Sequence, residues 1–147
     1  MADTIRELIL QDVAGLLESL YGVSSVYRGR TQFEYADLPC VTILPEAETA
    51  ERVYGEQQLT MPVAIHAVQV VGSKEVGTLA EDTLGELIEA VIGNRSSISR
   101  INDIYYTEGG VETWPEQEEQ ALSVQISIEV KYSTKIGDPY NQTNIGD

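Results

Sequence analysis

The sequence is poor in the residue types that carry most enzyme chemistry. It contains a single cysteine, Cys40, and a single histidine, His66. A lone cysteine cannot form a disulfide within the chain, and Cys40 lies in an apolar stretch. Because free cysteine is among the most buried residue types, we expect an inert, buried thiol there. His66 falls in a strand-like stretch, and no motif connects it with Cys40.

Catalytic and cofactor-binding motifs are also missing. The chain has no Walker A phosphate-binding loop, no GxGxxG dinucleotide motif, no HExxH zinc motif and no GxSxG nucleophile elbow. Acidic residues cluster at 46–51 and 116–119, but solvated carboxylates need no metal to explain them. We therefore predict a protein that is not an enzyme and that has no catalytic residue, no metal site and no cofactor.

Basic residues are scarce. Nine Lys and Arg against 24 Asp and Glu give a formal net charge of −15 at pH 7. This balance argues against wrapping nucleic acid around the outside of the protein, which requires clustered Lys and Arg. The charge fits solubility alone, and it also fits a surface past which another polyanion moves without sticking.

Long hydrophobic runs are absent. No stretch reaches 18 consecutive apolar residues, so the sequence predicts no membrane span. Residues 1–4 lack the basic region and apolar stretch of a signal peptide, and we expect the protein to be made and kept in the cytoplasm. A length of 147 residues predicts one domain with one hydrophobic core.

Two segments have the patterning of amphipathic helices. Thr4 and Glu7 have the spacing of a capping box, in which each side chain accepts a hydrogen bond from the other residue's backbone N–H. Apolar residues then recur in steps of three and four, which predicts a helix over 4–21. Ser73 is the expected cap of a second helix that ends at residues 93–94.

Most of the remaining chain alternates between apolar and polar residues, as strands do. The alternation is clearest in the last strand, where six apolar residues on one face oppose six polar residues on the other. Gly55-Glu56 is the expected turn of a hairpin. The prolines flanking the second strand favour an edge or strand-end position. The strands are predicted at 23–30, 39–45, 47–54, 57–71, 101–107 and 122–133, with a polar loop at 108–120.

The element order predicts an α+β fold in which a mixed, mostly antiparallel sheet carries two helices on one face. Residues 1–134 form the single domain, and 135–147 form a flexible tail unless a partner orders it. The second face of the sheet has no evident cover within the chain. An uncovered polar sheet face and a tail together favour a subunit that completes its burial by assembly.

Three segments of the chain resemble the phage minor tail protein U and related tail-terminator, or tail-completion, proteins. They are GVSSVYR at 22–28, DLPCVTI at 37–43 and the closing strand IEVKYST at 128–134. Chain size and element order are similar as well, and the resemblance spans about residues 4–134.

The resemblance implies a structural, ring-forming subunit, usually a hexamer, that belongs to the tail or neck of a virion assembled in the bacterial cytoplasm. Such a ring caps the finished tail tube, ends its polymerisation and joins it to the head connector or stopper protein. DNA passes through its lumen without specific binding, and an acidic lumen would suit that passage.

Loops are the expected contact points of such a ring. Arginines beside the turn-prone Gly29 would pair with acidic residues of a neighbour, and the loop that holds the only tryptophan would act as an anchor. The chain contains eight tyrosines, and tyrosine is a residue type that is enriched at protein interfaces. The candidate interface residues are Arg28, Arg30, Glu46, Glu48, Trp114 and Tyr140.

Two other functions fit the sequence. The first is a different neck component, such as a head–tail adaptor or stopper, built from comparable small domains. The second is a small-molecule-binding or enzymatic α+β domain with its pocket between sheet and helices. The lack of clustered catalytic residue types argues against this second function.

Overall fold

A computed structural model describes residues 3–20, 25–73, 75–115 and 121–143. It contains two α-helices, two short 3-10 helices and seven strands. In chain order these are α1 (Ile5–Glu18), β1 (Ser25–Arg28), a 3-10 turn (Tyr35–Asp37), β2 (Cys40–Pro45), β3 (Thr49–Val53), β4 (Glu56–Val70), α2 (Val76–Val91), a 3-10 turn (Arg95–Ser97), β5 (Asp103–Thr113), β6 (Ala121–Lys135) and β7 (Asp138–Gln142).

The seven strands form one mixed sheet in the order β1-β2-β4-β6-β5, with β3 paired to β4 and β7 paired to β6. Only the β1–β2 pair is parallel, and every other pair is antiparallel. The predicted fold class, an α+β fold with a mixed, mostly antiparallel sheet, is therefore confirmed. The prolines of the second predicted strand do mark its ends, but β2 lies inside the sheet between β1 and β4.

One face of the sheet and the two helices enclose the core. Side chains from both helices and from alternate positions of the central strands form one cluster. The long strands β4 and β6 contribute eleven members, each at most 7% exposed: Leu59, Met61, Val63, Ile65, Ala67, Leu122, Val124, Ile126, Ile128, Val130 and Tyr132. Large buried side chains therefore fill the described layer between the sheet and the helices, where the alternative of a small-molecule-binding domain would place its pocket.

The start of α1 follows only half of the predicted capping box. The backbone N–H of Glu7 donates to Thr4 Oγ1 over 3.0 Å. The Glu7 carboxylate does not reach back, because it accepts two hydrogen bonds from Arg28 on β1. The helix ends at Glu18, three residues before the predicted end.

The start of α2 differs from the prediction. Glu75, and not Ser73, caps the helix, since its carboxylate accepts from the backbone N–H groups of Gly77 and Thr78 at 2.9 and 2.8 Å. These hydrogen bonds lower the pKa of Glu75. A carboxylate also complements the positive end of the helix dipole, which favours this later cap.

β2 and β3 lie end to end along the same edge of β4. Pro45 pairs with Val63 and Thr49 pairs with Thr60, so the register shifts by one residue between the two strands. Together they form one arm of a long hairpin with β4. The turn is Tyr54-Gly55, one residue earlier than predicted, because Glu56 already pairs within the hairpin.

β5 is longer than predicted and occupies the first half of the expected 108–120 loop. Its register with β6 shifts between Tyr106 and Glu108 and again between Val111 and Thr113. Each bulge changes which face the following side chains occupy. The sequence alternation is therefore broken although the backbone remains a strand.

The predicted tail is partly ordered, because residues 138–142 form β7. Gly137 has a φ of +73°, which glycine adopts readily, and it turns the chain back towards β6. The Gln142 side chain donates to the backbone oxygen of Arg100 over 2.6 Å. The expectation of a tail without regular structure is wrong for this segment, since a tight turn and a side-chain anchor fix it.

Candidate functional site

The helix-free face of the sheet is partly covered by the loop at 29–39. The hydroxyl of Thr42, on this face of β2, donates to the backbone oxygen of Arg30 over 2.6 Å. Thr42 is buried, as is Cys40 two positions earlier. The expectation that nothing in the chain covers this face is therefore wrong at β2.

A cavity of about 460 Å³ lies on the helix-free face between this loop and the end of β5. We call it the face pocket. Its carboxylates, Glu34 and Glu112, come from the loop and from β5. Its apolar walls come from four parts of the chain: Phe33, Leu38, Leu44, Val68 and Trp114. Cavities of this size hold ligands or side-chain anchors in other proteins.

A histidine–carboxylate pair lies in the face pocket. Nδ1 of His66, on β4, contacts the Glu112 carboxylate, and the imidazole is the more buried partner. Glu112 occupies the second bulge of β5, which places its side chain on this face. The pair could not be predicted from the sequence, because no spacing rule connects β4 with a bulge in another strand.

Cys40 lies on the same face but does not form a nucleophile–base pair with His66. Cys40 pairs with Val68 and His66 pairs with Thr42, so the two residues are diagonal neighbours. Burial raises the pKa of the Cys40 thiol to about 11, and the nearby charge of Asp37 acts in the same direction. A protonated thiol is a poor nucleophile at neutral pH. The predicted burial of Cys40 is confirmed, with 1% exposure.

Trp114 borders the face pocket directly after β5. It is 54% exposed, which is unusual for the largest apolar side chain. From its sequence, Trp114 is predicted to lie in a loop and to act as an anchor for a partner. Its position beside a cavity is compatible with that prediction.

Arg28 forms a bidentate ion pair within its own chain. Its two terminal nitrogens donate to the two Glu7 oxygens over 2.9 and 2.7 Å. The hydrogen bonds from Arg28 lower the pKa of Glu7 to about 2, although burial opposes this shift. The same pairing raises the pKa of Arg28. The structure thus pairs Arg28 with α1 of its own chain, and the predicted contact of Arg28 with a neighbouring subunit stays a prediction.

Arg30 organises the loop that walls the face pocket. Its guanidinium pairs with Asp37 over 2.8 Å. It also lies 4.6 Å from the centre of the Tyr27 aromatic ring and 5.2 Å from that of Phe33, within cation–π distance. Its Nε also donates to the backbone oxygen of Gln32 over 3.0 Å, so Arg30 has four partners in its own loop and strand.

The two predicted acidic interface residues meet Arg6 of α1. Arg6 donates to the Glu48 carboxylate over 2.7 Å and to the backbone oxygen of Glu46 over 2.9 Å. Glu48 also accepts from the Tyr132 hydroxyl over 2.6 Å. Burial, together with this hydrogen bond, raises the pKa of Tyr132. Glu48 is therefore engaged within the chain, whereas the carboxylate of Glu46 is exposed and has no side-chain partner in the described ranges.

The turn of the long hairpin is the most exposed aromatic feature in the described chain. We call residues 52–57 the hairpin tip. Tyr54 is 100% exposed and has a φ of +50°, and Gly55 follows with +83°. Positive φ at both turn residues is typical of the two-residue turns that match the twist of a hairpin. Asn and Gly are the usual residues at such positions, so Tyr54 is an exception.

Arg52 differs from the other arginines. All six arginines lie in the described part of the chain, and five make a side-chain hydrogen bond: Arg6, Arg28, Arg30, Arg95 and Arg100. Within those same ranges Arg52 has no such partner, and it is exposed on β3. The hairpin tip thus carries a free cation two residues before an exposed tyrosine.

Tyr140 and the outer face of α2 are separate exposed features. Tyr140 lies on β7 and is 46% exposed. The exposed positions of α2 carry four carboxylates and no basic residue: Glu81, Asp82, Glu86 and Glu89. Of the predicted interface residues, the structure therefore leaves Trp114, Tyr140 and Glu46 available, while the other three have partners within the chain.

Metal ligands do not cluster in the parts of the chain that the structure describes, where no three His, Cys, Asp or Glu side chains could hold an ion. The acidic residues at 116–119 lie outside those parts, as does residue 21, the predicted end of the first helix. None of the described helices is long and apolar enough to cross a membrane.

The sequence matches no protein-family model, and no curated protein matches it. Any proposal on function therefore rests on the residues and geometry of the chain itself.

Proposed function

We propose that the protein is a structural subunit of a phage tail, a tail terminator. In this proposal about six copies form a closed ring that binds the end of the tail tube, stops its polymerisation and joins it to the head connector. The resemblance of three sequence segments to tail-terminator proteins motivates the proposal. The exposed hairpin tip supports the assembly step of the proposal, because Tyr54 is 100% exposed and exposed aromatic side chains are typical of protein interfaces.

Contacts within its own chain stabilise the hairpin tip little. Tyr54 is fully exposed, so its aromatic ring buries no area when the monomer folds. Its positive φ costs about 1 kcal/mol relative to a residue suited to that conformation. A large aromatic side chain in this position is accounted for if it is buried at a contact with another subunit.

The acidic surface supports the passage of DNA through the assembled ring. The exposed face of α2 has carboxylates but no basic residue between Val76 and Val91. Such a surface repels phosphates and provides none of the Lys or Arg contacts on which nonspecific DNA binding depends. Placed at the lumen, it would let DNA pass without sticking.

The proposal is tested with purified protein and with tail tubes assembled from tube subunits of the same phage. Light scattering gives the mass of the protein alone, and negative-stain imaging shows whether closed rings form. Adding the protein during tube assembly should shorten the tubes and leave a cap at one end. Tubes assembled without the protein are the control.

Tube-end binding also separates the terminator from other neck components. An adaptor or stopper would form rings but would leave the length of free tubes unchanged. A protein that stays monomeric at high concentration and never associates with tube ends would contradict the proposed function.

A further inference from the structure

We propose that the hairpin tip of one copy docks into the face pocket of the next copy. Tyr54 would enter the cavity beside Trp114, and Arg52 would meet the carboxylates of Glu34 and Glu112. This inference rests on the proposed assembly of the chain into a ring, and it names the contact that builds the ring.

The tip and the face pocket lie at opposite ends of the same strand. Glu56 begins β4 at the tip, whereas His66 and Val68 line the pocket near the other end. Glu56 and His66 are ten positions apart along the strand, which corresponds to about 33 Å. A rigid paired strand cannot bring its own tip into its own pocket, so the tip must enter the pocket of another copy.

A contact between two different surfaces of the same chain has a direct consequence for assembly. Each copy offers one tip and one pocket, so every bound copy leaves one of each free for the next. Such head-to-tail interfaces produce a closed ring when the rotation closes. The geometry of tip and pocket therefore supplies the kind of interface that a ring requires.

The charges of the two surfaces are complementary. Arg52 is the one arginine without a side-chain partner in the described ranges, in a chain with a net charge of −15. The face pocket carries Glu34 and Glu112. Placing a free cation against these carboxylates offsets the repulsion between like-charged subunits.

The chemistry of the tip also matches the walls of the pocket. Tyr combines an apolar ring with a polar hydroxyl, and the pocket combines apolar walls, including Phe33 and Trp114, with the polar groups of His66 and Thr42. Aromatic side chains seated in such pockets are frequent interface anchors. An arginine can in addition stack on the exposed indole of Trp114.

The first test replaces Tyr54 by Asn, a residue that suits the turn and keeps the hairpin intact. We expect Tyr54→Asn to raise the subunit concentration for half-assembly by about tenfold or more, as measured by analytical ultracentrifugation. Tyr106→Asn is the matched control, since it makes the same change at another exposed tyrosine that lies outside the tip, the face pocket and the predicted interface residues. It should leave assembly unchanged.

A second test uses complementation between two defective copies. Tyr54→Asn removes the tip, and Trp114→Ala with Glu34→Arg disables the pocket. Each variant alone should be monomeric at concentrations at which the parent assembles. Their mixture should form dimers and nothing larger, because one intact tip and one intact pocket remain. A mixture that stays monomeric would overturn the docking.

Charge exchange provides an independent check on the pairing. Arg52→Glu should weaken assembly, and adding Glu34→Arg in the same chain should restore it at least partly. If the parent and Tyr54→Asn form rings equally well, the proposed docking of tip and pocket is wrong, but the proposed ring is not contradicted. If the parent itself never assembles, with or without tail tubes, the proposed function fails as well.

Discussion

The ion pair between Arg28 and Glu7 gives the sharpest prediction on stability. The pair joins β1 to α1, and the structure therefore assigns Arg28 a role in folding where the sequence analysis expected a contact with a neighbour. A pKa lowered from 4.5 to about 2 would correspond to about 3 kcal/mol if it were fully realised. Both side chains are about one third exposed. Solvent screening then reduces the expected contribution to about 1 kcal/mol.

A double-mutant cycle measures this contribution. Arg28→Ala, Glu7→Gln and the double variant are unfolded in urea, and circular dichroism gives the free energy of unfolding. At pH 7 we expect a coupling free energy of about 1 kcal/mol between the two residues. Oligomer formation would interfere, so the titrations are run at concentrations where each variant is monomeric.

The pH dependence of the coupling free energy tests whether the ionised Glu7 carboxylate causes it. Because the carboxyl pKa is lowered in the folded state, its stabilisation is complete above the unfolded value of 4.5 and is lost as the pH falls towards about 2. The coupling should therefore decline between pH 5 and pH 3. A coupling near zero at pH 7, or one that does not change down to pH 3, would refute the structural role of this pair.

Three other predictions follow from the fold. Tyr54→Asn should raise the free energy of unfolding of the monomer by about 1 kcal/mol, since it removes a side chain that disfavours positive φ; a loss of stability in urea titration would contradict this. Ile126→Ala should lower the free energy of unfolding by about 2–5 kcal/mol because Ile126 is 0% exposed, and Ser127→Ala on the other face of β6 should lower it far less. Equal losses in urea titration would mean that the two faces of β6 are wrongly assigned. Cys40 should resist alkylation in the native protein and react once it is unfolded, and Cys40→Ala should leave assembly intact if circular dichroism shows that the fold is retained; rapid native alkylation, or loss of assembly in the folded variant, would contradict an inert, buried thiol.

The fold class was predictable because hydrophobic periodicity reports burial directly. β6 alternates without a break from Leu122 to Ser133, and its six alternating apolar residues lie in the core, so the facing of this strand follows from the pattern. The predicted length of β5 was too short because its alternation of apolar and polar residues is interrupted. Its two bulges shift the alternation, and a pattern rule reads the shifted segment as a loop.

The candidate site was less predictable because side-chain partners depend on tertiary structure. Arg28 and Glu48 are charged residues, which usually lie at the surface. Each forms an ion pair with a residue of α1, and no local spacing in the sequence indicates either pair. His66 and Glu112 meet only because β4 and a bulge of β5 share one sheet face. Tyr54 did carry a signal, since a tyrosine before Gly55 in a hairpin turn departs from the residues that such turns prefer.

The mass of the protein in solution tests the central proposal most directly. Light scattering across a concentration series, joined to negative-stain imaging of the same samples, should give a closed ring with a mass near six times 16.2 kDa. The ring should appear either with the protein alone or at the ends of added tail tubes. A mass of one subunit at every concentration, without any ring at the tube ends, would contradict the account.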